Sequence, residues 1–356
     1  MRPITRPAPS TYQPPQTLKF NALKGGGLSP VNKVFGVQNS KPIAIQAILD
    51  KLFYFFLNPP TTTVNKEANR MMKNRVFEIY PESRRDLIDG LGQFCCFCGM
   101  SVTDSSLAVE HMLAKDQFPS LCINFKNFLL CCPVCNSKKG ANPKYADAVH
   151  WTGKANPSFE EICQAGLANY VWADNGMNYR AYVPRFLVSP TNVENWTEIS
   201  INLAMDLRNV YVASNGVNVL ARIFDGNQLQ QVYTKIFVGP VSPQSANMDG
   251  LIRINEADPE RLQLTDRRIM NLTITWLDGL QFLQAYNVAA GNKDQSTMNF
   301  IFKLMLSKSR SSGFYWIWIY MLQFYSAQTK TNLVKDFVKD TATPTYYPGT
   351  NTTFVP

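Results

Sequence analysis

The chain has 356 residues, 45% of them hydrophobic and 17% charged, a composition that supports packed cores for about two domains and excludes a disordered or fibrous chain. Its net charge of +9 is unevenly placed: Met1 to Leu49 carries six basic residues (Arg2, Arg6, Lys19, Lys24, Lys33, Lys41) and no acidic one, a pattern drawn to polyanions in a salt-dependent way. No stretch reaches the roughly 18 apolar residues of a membrane span, and no apolar segment follows Met1-Arg2-Pro3-Ile4-Thr5-Arg6-Pro7 as a secretory signal requires, so a location in the cytoplasm is expected.

Residues 1–40 are rich in Pro, Gly, Ser, Thr and Asn and predict a basic extended arm that drapes over the protein or its ligand. A helical segment, 41–92, follows. Ser40-Lys41-Pro42 reads as a helix start, and Ile45, Ile48, Leu49, Leu52, Phe53 and Phe56 recur at helical spacing as a core stripe. Further helices are expected over Asn65–Ile79 and Pro81–Leu91. In 166–250, two hairpins or a small antiparallel sheet are expected. Tyr170–Trp172 and Tyr179–Val183 flank Asn175-Gly176; Val210–Val212 and Val217–Ile223 flank Asn215-Gly216. The remainder, 251–356, predicts a helical domain opened by Asp258-Pro259-Glu260. Its segment Phe314–Leu322 is apolar on every face, hence a buried helix or one covered by a partner.

Seven of the eight cysteines fall between Cys95 and Cys135 rather than being spread through the chain, which suits thiolate ligands in a reducing compartment better than a disulfide scaffold. Cys95-x-x-Cys98 and Cys132-x-x-Cys135, with 33 residues between, provide the four tetrahedral ligands of a structural zinc. Cys96 and Cys131 adjoin the knuckles as substitute ligands, while Cys122 and Cys163 read as packed thiols.

Between the knuckles, Leu107–Val109 reads as a short strand delivering Glu110 and His111, Phe128–Leu130 as its antiparallel partner, and the stretch after Cys135 as a helix. This would gather His111, Glu110, Asn127 and Asn136. A histidine is a base near neutral pH, and a carboxylate with an amide oxygen suits a divalent cation that keeps its waters. Lys115, Lys138 and Lys139 could hold a phosphate. The bland alternative is a zinc ribbon with an incidental histidine.

The segment from Cys95 to Gly140 resembles the HNH endonuclease family, in its subgroup with cysteine knuckles. The resemblance implies an α+β fold in which a ββα-metal module with a four-cysteine zinc site, residues 93–165, precedes the hairpins and the helical domain. It implies that His111 is the general base, that Glu110 and Asn136 hold a catalytic Mg²⁺ or Mn²⁺, and that Asn127 holds the hairpin and orients the histidine. The arm (Arg2, Arg6) and Lys115, Lys138 and Lys139 would contact nucleic acid. Glu110 stands where many members have Asp, and Ala114 where relatives often have Pro. Asn127–Lys139, Gly313-Phe314 with Trp318, and Phe337, Thr341 and Ala342 further resemble nuclease subunits of bacterial anti-phage systems of the Septu or retron-associated kind. That implies a DNA substrate, an ATPase partner and a prokaryotic cytoplasm. A non-cleaving nucleic-acid or partner-binding subunit and an RNase are the alternatives.

Overall fold

In this computed structural model the described residues are all of 1–356 except 166, 175–176, 178, 191–194, 213–218, 226–227, 257–265, 344 and 355–356. The chain is a mixed α+β protein with a helical C-terminal region and a cluster of four buried cysteines.

The N-terminal segment is extended and lies on the protein itself. Ile4 bridges Thr350, and its amide donates to Ala173 O at 2.7 Å. Arg2 is 5% exposed. Its guanidinium donates to Leu91 O at 2.6 Å, to Pro348 O at 2.7 Å and to Thr350 Oγ1 at 2.9 Å, and stands 5.4 and 5.5 Å from the ring centres of the stacked pair Phe94 and Tyr347. Leu91 is the last residue of the helix Arg84–Leu91. Arg2 therefore satisfies a carbonyl that has no partner inside the helix, at the dipole end where a cation is favoured. Arg6 pairs with Asp174 and donates to the carbonyls of Phe125 (3.0 Å) and Phe128. The expectation that Arg2 and Arg6 reach nucleic acid is thus corrected: both cations are taken up by interior carbonyls and a carboxylate.

The arm is only partly extended. Thr17–Leu18 pairs antiparallel with Ile43–Ala44, and a helix covers Pro30–Phe35. Ser29 Oγ caps that helix by accepting from Asn32 N at 3.1 Å, and Gly36 closes it in the left-handed conformation. Helices follow at Ile45–Leu57, Thr63–Phe77 and Arg84–Leu91. Ile48, Leu49, Leu52 and Phe55 are buried on the first, while Phe53 and Phe56 present their rings edge-on to Tyr145. The helix begins three residues later than Pro42 suggested, because Ile43 and Ala44 are drawn into the strand pair.

The middle of the chain forms a five-stranded antiparallel sheet. Its order is Thr197–Ile199, Tyr182–Ser189, Gln228–Pro240, Val219–Asp225, Arg208–Val212. The expected first hairpin is corrected: Tyr170–Trp172 is not part of a strand, and Tyr182–Ser189 pairs instead with Gln228–Pro240. The turn residues Asn175-Gly176 and Asn215-Gly216 lie outside the described residues, as does the helix start Asp258-Pro259-Glu260. The sheet packs on the helix Arg268–Gly291, where Phe186 meets Trp276 at 4.6 Å and Ile236 N donates to Thr273 Oγ1 at 2.9 Å.

Helices Gln295–Ser312, Tyr315–Thr329 and Leu333–Thr341 complete the C-terminal region. Tyr315 through Ile319, Met321 and Leu322 are all buried, so the segment apolar on every face is covered by the chain itself. Its start is tied to the first cysteine knuckle. Phe314 N donates to Gly99 O at 2.7 Å, and Gly313 bridges Met100. A Cβ on Gly313 would lie 2.3 Å from Ser101 N, a close approach that only glycine permits. No helix among the described residues is long and apolar enough to cross a membrane.

A candidate metal centre and the pocket beside it

Cys95, Cys98, Cys132 and Cys135 converge from two turns, with all four Sγ atoms within 4.8 Å of one another and all four buried. Tetrahedral zinc at about 2.3 Å from each thiolate requires sulfurs about 3.8 Å apart. Cys98 Sγ and Cys132 Sγ stand 3.9 Å apart, which suits a shared ion and is far too long for a disulfide. The first knuckle is closed by Gly99 N donating to Cys95 O at 2.9 Å, with Gly99 in a positive-φ conformation. The second opens the helix Pro133–Lys139, whose N-cap is Cys132; its sulfur accepts from Cys135 N at 3.4 Å. The four residues fit a metal ion such as zinc.

A cation that sequence reading did not single out stands behind this cluster. Arg268, 1% exposed, points Nη1 at Cys135 Sγ at 3.4 Å and is held by Asp266 at 2.9 Å. Its guanidinium would offset part of the negative charge that four thiolates bring to a bound divalent ion. Its only sequence signal is the basic pair Arg267-Arg268 at the head of an apolar helix. Of the substitute ligands, Cys131 donates Sγ to Cys132 O at 3.2 Å, and burial pushes the Cys96 thiol up to about 12. Burial likewise pushes Cys122 up to about 12. None of these three belongs to the cluster.

The hairpin pairs Ala108–His111 with Phe128–Cys131, opposing Glu110 to Leu129 and His111 to Phe128. Asn127 is fully buried at its neck. Its Oδ1 accepts from Leu113 N at 2.8 Å, and its Nδ2 donates to Leu113 O at 2.9 Å and Leu121 O at 3.3 Å. These bonds fix the loop that ends in Cys122. The Cys122 carbonyl lies 2.9 Å from His111 Nε2. A carbonyl can only accept, so Nε2 carries the proton and Nδ1 keeps the lone pair. Burial pushes His111 down to about 4, with Lys115 and Lys139 adding to the effect, so the ring is neutral at pH 7.

The hairpin and the knuckle helix wall a pocket of about 420 Å³ lined by Tyr80, Arg84, Glu110, His111, Lys115 and Asn136 among others. Glu110 is 8% exposed, and its Oε1 receives Lys139 Nζ at 2.8 Å. Burial raises the Glu110 carboxyl, against the pull of the lysine. Lys139 is fully buried and is a counter-ion from below, so its expected role as a nucleic-acid contact is corrected. Lys138 is half-buried on the same helix and does not line the pocket. Lys115 does: its Nζ donates to Tyr80 Oη at 2.9 Å and stands 4.5 Å from the ring centres of both Phe77 and Tyr80. Tyr80 in turn packs edge-on to His111 at 4.6 Å. Tyr80 and Arg84 had no motif to mark them. His150 is exposed and away from the pocket, and the Cys163 side chain lies outside the described residues.

No family model matches the chain, and no solved structure matches it. Over 92 residues it is 32% identical to the Septu protein PtuB of Bacillus thuringiensis, a match that covers 24% of this chain and 35% of that protein. The matched segment spans about a third of the length of that curated relative.

Proposed function

We propose that the chain is a metal-dependent HNH endonuclease that hydrolyses DNA phosphodiester bonds, as the nuclease effector of a bacterial anti-phage complex with an ATPase partner. The observation that carries the reading is the convergence of His111, Glu110, Asn136 and Lys115 on one pocket beside a four-cysteine cluster. The similarity to a Septu protein supports the defence role and a partner within it.

In this reading water attacks phosphorus, His111 Nδ1 takes its proton, and the bond to the leaving oxygen breaks to give a phosphate end and a hydroxyl end. His111 suits the task because it is neutral and held in one tautomer. Asn127 acts through it, by fixing the loop that carries the Cys122 carbonyl. Lys115, aligned by Tyr80 and Phe77, offers an ammonium to the phosphate. Glu110 and Asn136 would hold Mg²⁺ or Mn²⁺, whose chemistry is to stabilise charge on the leaving oxygen. One carboxylate and one amide oxygen fit an ion that keeps several waters.

The ion pair between Lys139 and Glu110 favours a second reading. It neutralises the carboxylate without a metal, as a subunit that binds nucleic acid without cutting would need. A cleavage assay separates the two. Plasmid, single-stranded DNA and RNA are incubated with Mg²⁺ or Mn²⁺, with and without the ATPase, using wild type and His111→Ala. Metal-dependent cutting of DNA lost in His111→Ala supports the first reading. Binding without cutting under every condition supports the second, and cutting of RNA alone would replace DNA as substrate.

A further inference from the structure

Arg2 and Arg6 turn inward, while the arm's Lys19, Lys24, Lys33 and Lys41 are exposed but do not line the pocket. The helix Thr63–Phe77 carries four basic side chains (Lys66, Arg70, Lys73, Arg75) against one acidic, Glu67. Three of the four recur with Phe77 at i, i+4, i+7 and i+11, a single stripe along the helix. The core side is set by Ala68, Met72 and Val76, all 0% exposed, which turns the basic stripe outward. Lys66 and Arg70 are exposed and Lys73 is half-buried. Arg75 lies off the stripe and pairs with Glu78 at 2.8 Å.

The stripe runs into the pocket. Phe77, at its end, lies under the Lys115 ammonium, and Tyr80, three residues on, lines the pocket with Lys115. We propose that Lys66, Arg70 and Lys73 form a ridge that tracks the phosphate backbone of duplex DNA and leads it to Lys115 at the pocket mouth. The proposal deepens the nuclease reading and rests on it for the identity of the polyanion.

The dimensions and chemistry suit a duplex. From Lys66 to Phe77 a helix rises about 16 Å, the axial rise of about five phosphates on one strand. Arg70 donates Nε to Glu67 at 2.9 Å, but that pair is exposed, and such pairs are weak enough in water to be exchanged for a phosphate. The stripe offers no open ring for base stacking, because its one aromatic residue, Phe77, is covered by Lys115. Single-strand platforms depend on such rings.

The test measures binding of a short fluorescent duplex by anisotropy in EDTA, across a salt series, for wild type, Lys66→Ala/Arg70→Ala/Lys73→Ala, the single Lys73→Ala and Arg75→Ala. Each phosphate contact contributes about 0.9 to the slope of log affinity against log salt. The triple variant is expected to lose about 2 to 3 from that slope, while Arg75→Ala keeps the wild-type value. A triple variant with the wild-type slope overturns the proposal. So does a single Lys73→Ala whose loss only equals that of Arg75→Ala, since general charge would then explain both, and so does a wild type that binds single strands in preference to the duplex. Thermal melts check that each variant is folded. Hydrolysis of a small diester, bis(p-nitrophenyl) phosphate, by wild type with Mn²⁺ reports on the pocket alone. Its failure counts against cutting, whereas the slope decides the ridge.

Discussion

Lys139 Nζ stands 2.8 Å from Glu110 Oε1, and the lysine side chain is entirely shielded from solvent. Removing one member of a buried pair leaves the other charge unmatched, at a cost of about 3–5 kcal/mol. Lys139→Met is therefore expected to lower thermal stability sharply, and Glu110→Gln/Lys139→Met to recover most of it. Because a divalent ion can replace the lost ammonium beside Glu110, Mn²⁺ should raise the melting temperature of Lys139→Met more than that of wild type. Equal shifts in the two proteins would remove Glu110 from the ion's ligands.

The bond from His111 to the Cys122 carbonyl predicts a tautomer. In ¹⁵N NMR at pH 7, Nε2 of His111 should be protonated and Nδ1 bare. Asn127→Ala frees the loop between Leu113 and Leu121, so the spectrum should then show a mixture of tautomers. On a cleavable substrate, His111→Ala should cost about 10²–10⁴ in rate. A wild-type spectrum with the proton on Nδ1 would contradict the assignment of that atom as base.

The parts of the site visible in the sequence are those made by short-range geometry. The two knuckles, Glu110 beside His111, and Asn127 at the hairpin neck all lie within one compact stretch, so their spacing already implies their convergence. What could not be seen depends on partners far along the chain. Nothing local shows that Arg2 will meet Leu91 O or that Arg6 will meet Phe128 O. Tyr80 becomes a pocket wall only because Lys115, 35 residues away, folds onto it. The strand Gln228–Pro240 has three glutamines among its first four residues, and that hid the central strand of the sheet. Arg208–Val212 does pair with Val219–Asp225 as the second hairpin expected, but Asn175-Gly176 pulled the expectation toward a local hairpin where Tyr182–Ser189 found its main partner some fifty residues on.

The four-cysteine cluster predicts one zinc per chain, retained through purification without added metal and read by elemental analysis. A structural ion of this kind contributes folding free energy directly, so Cys132→Ser should leave the segment from Cys95 to Gly140 unfolded. Arg268→Met keeps the volume but removes the cation 3.4 Å from Cys135 Sγ. It should leave zinc bound, with release to a chelator accelerated. A chelator rate equal to that of wild type would show that the guanidinium does nothing for the thiolates.

The collar around Asp86 explains why the arm stays on the protein, and it predicts when the arm leaves. The carboxylate accepts from Ser10 Oγ at 2.7 Å, Thr11 N at 2.9 Å, Thr11 Oγ1 at 2.8 Å and Tyr12 N at 2.8 Å. Burial pushes the Asp86 carboxyl up, but these donors outweigh it and hold the group well below the ordinary carboxylate range. For a depressed carboxyl, the stabilisation is complete above the unfolded value of about 3.9 and is lost as pH falls below it. The amides of Thr11 and Tyr12 should therefore resist hydrogen exchange at pH 5 and lose protection progressively below about pH 4. Asp86→Asn has only one acceptor oxygen for these donors, which include Ser10 N at 3.0 Å, and should lose about 1–2 kcal/mol, with the two amides unprotected even at pH 7. Retained protection in Asp86→Asn would mean that Arg2 and Arg6 hold the arm without the collar, and the pH response would then vanish as well.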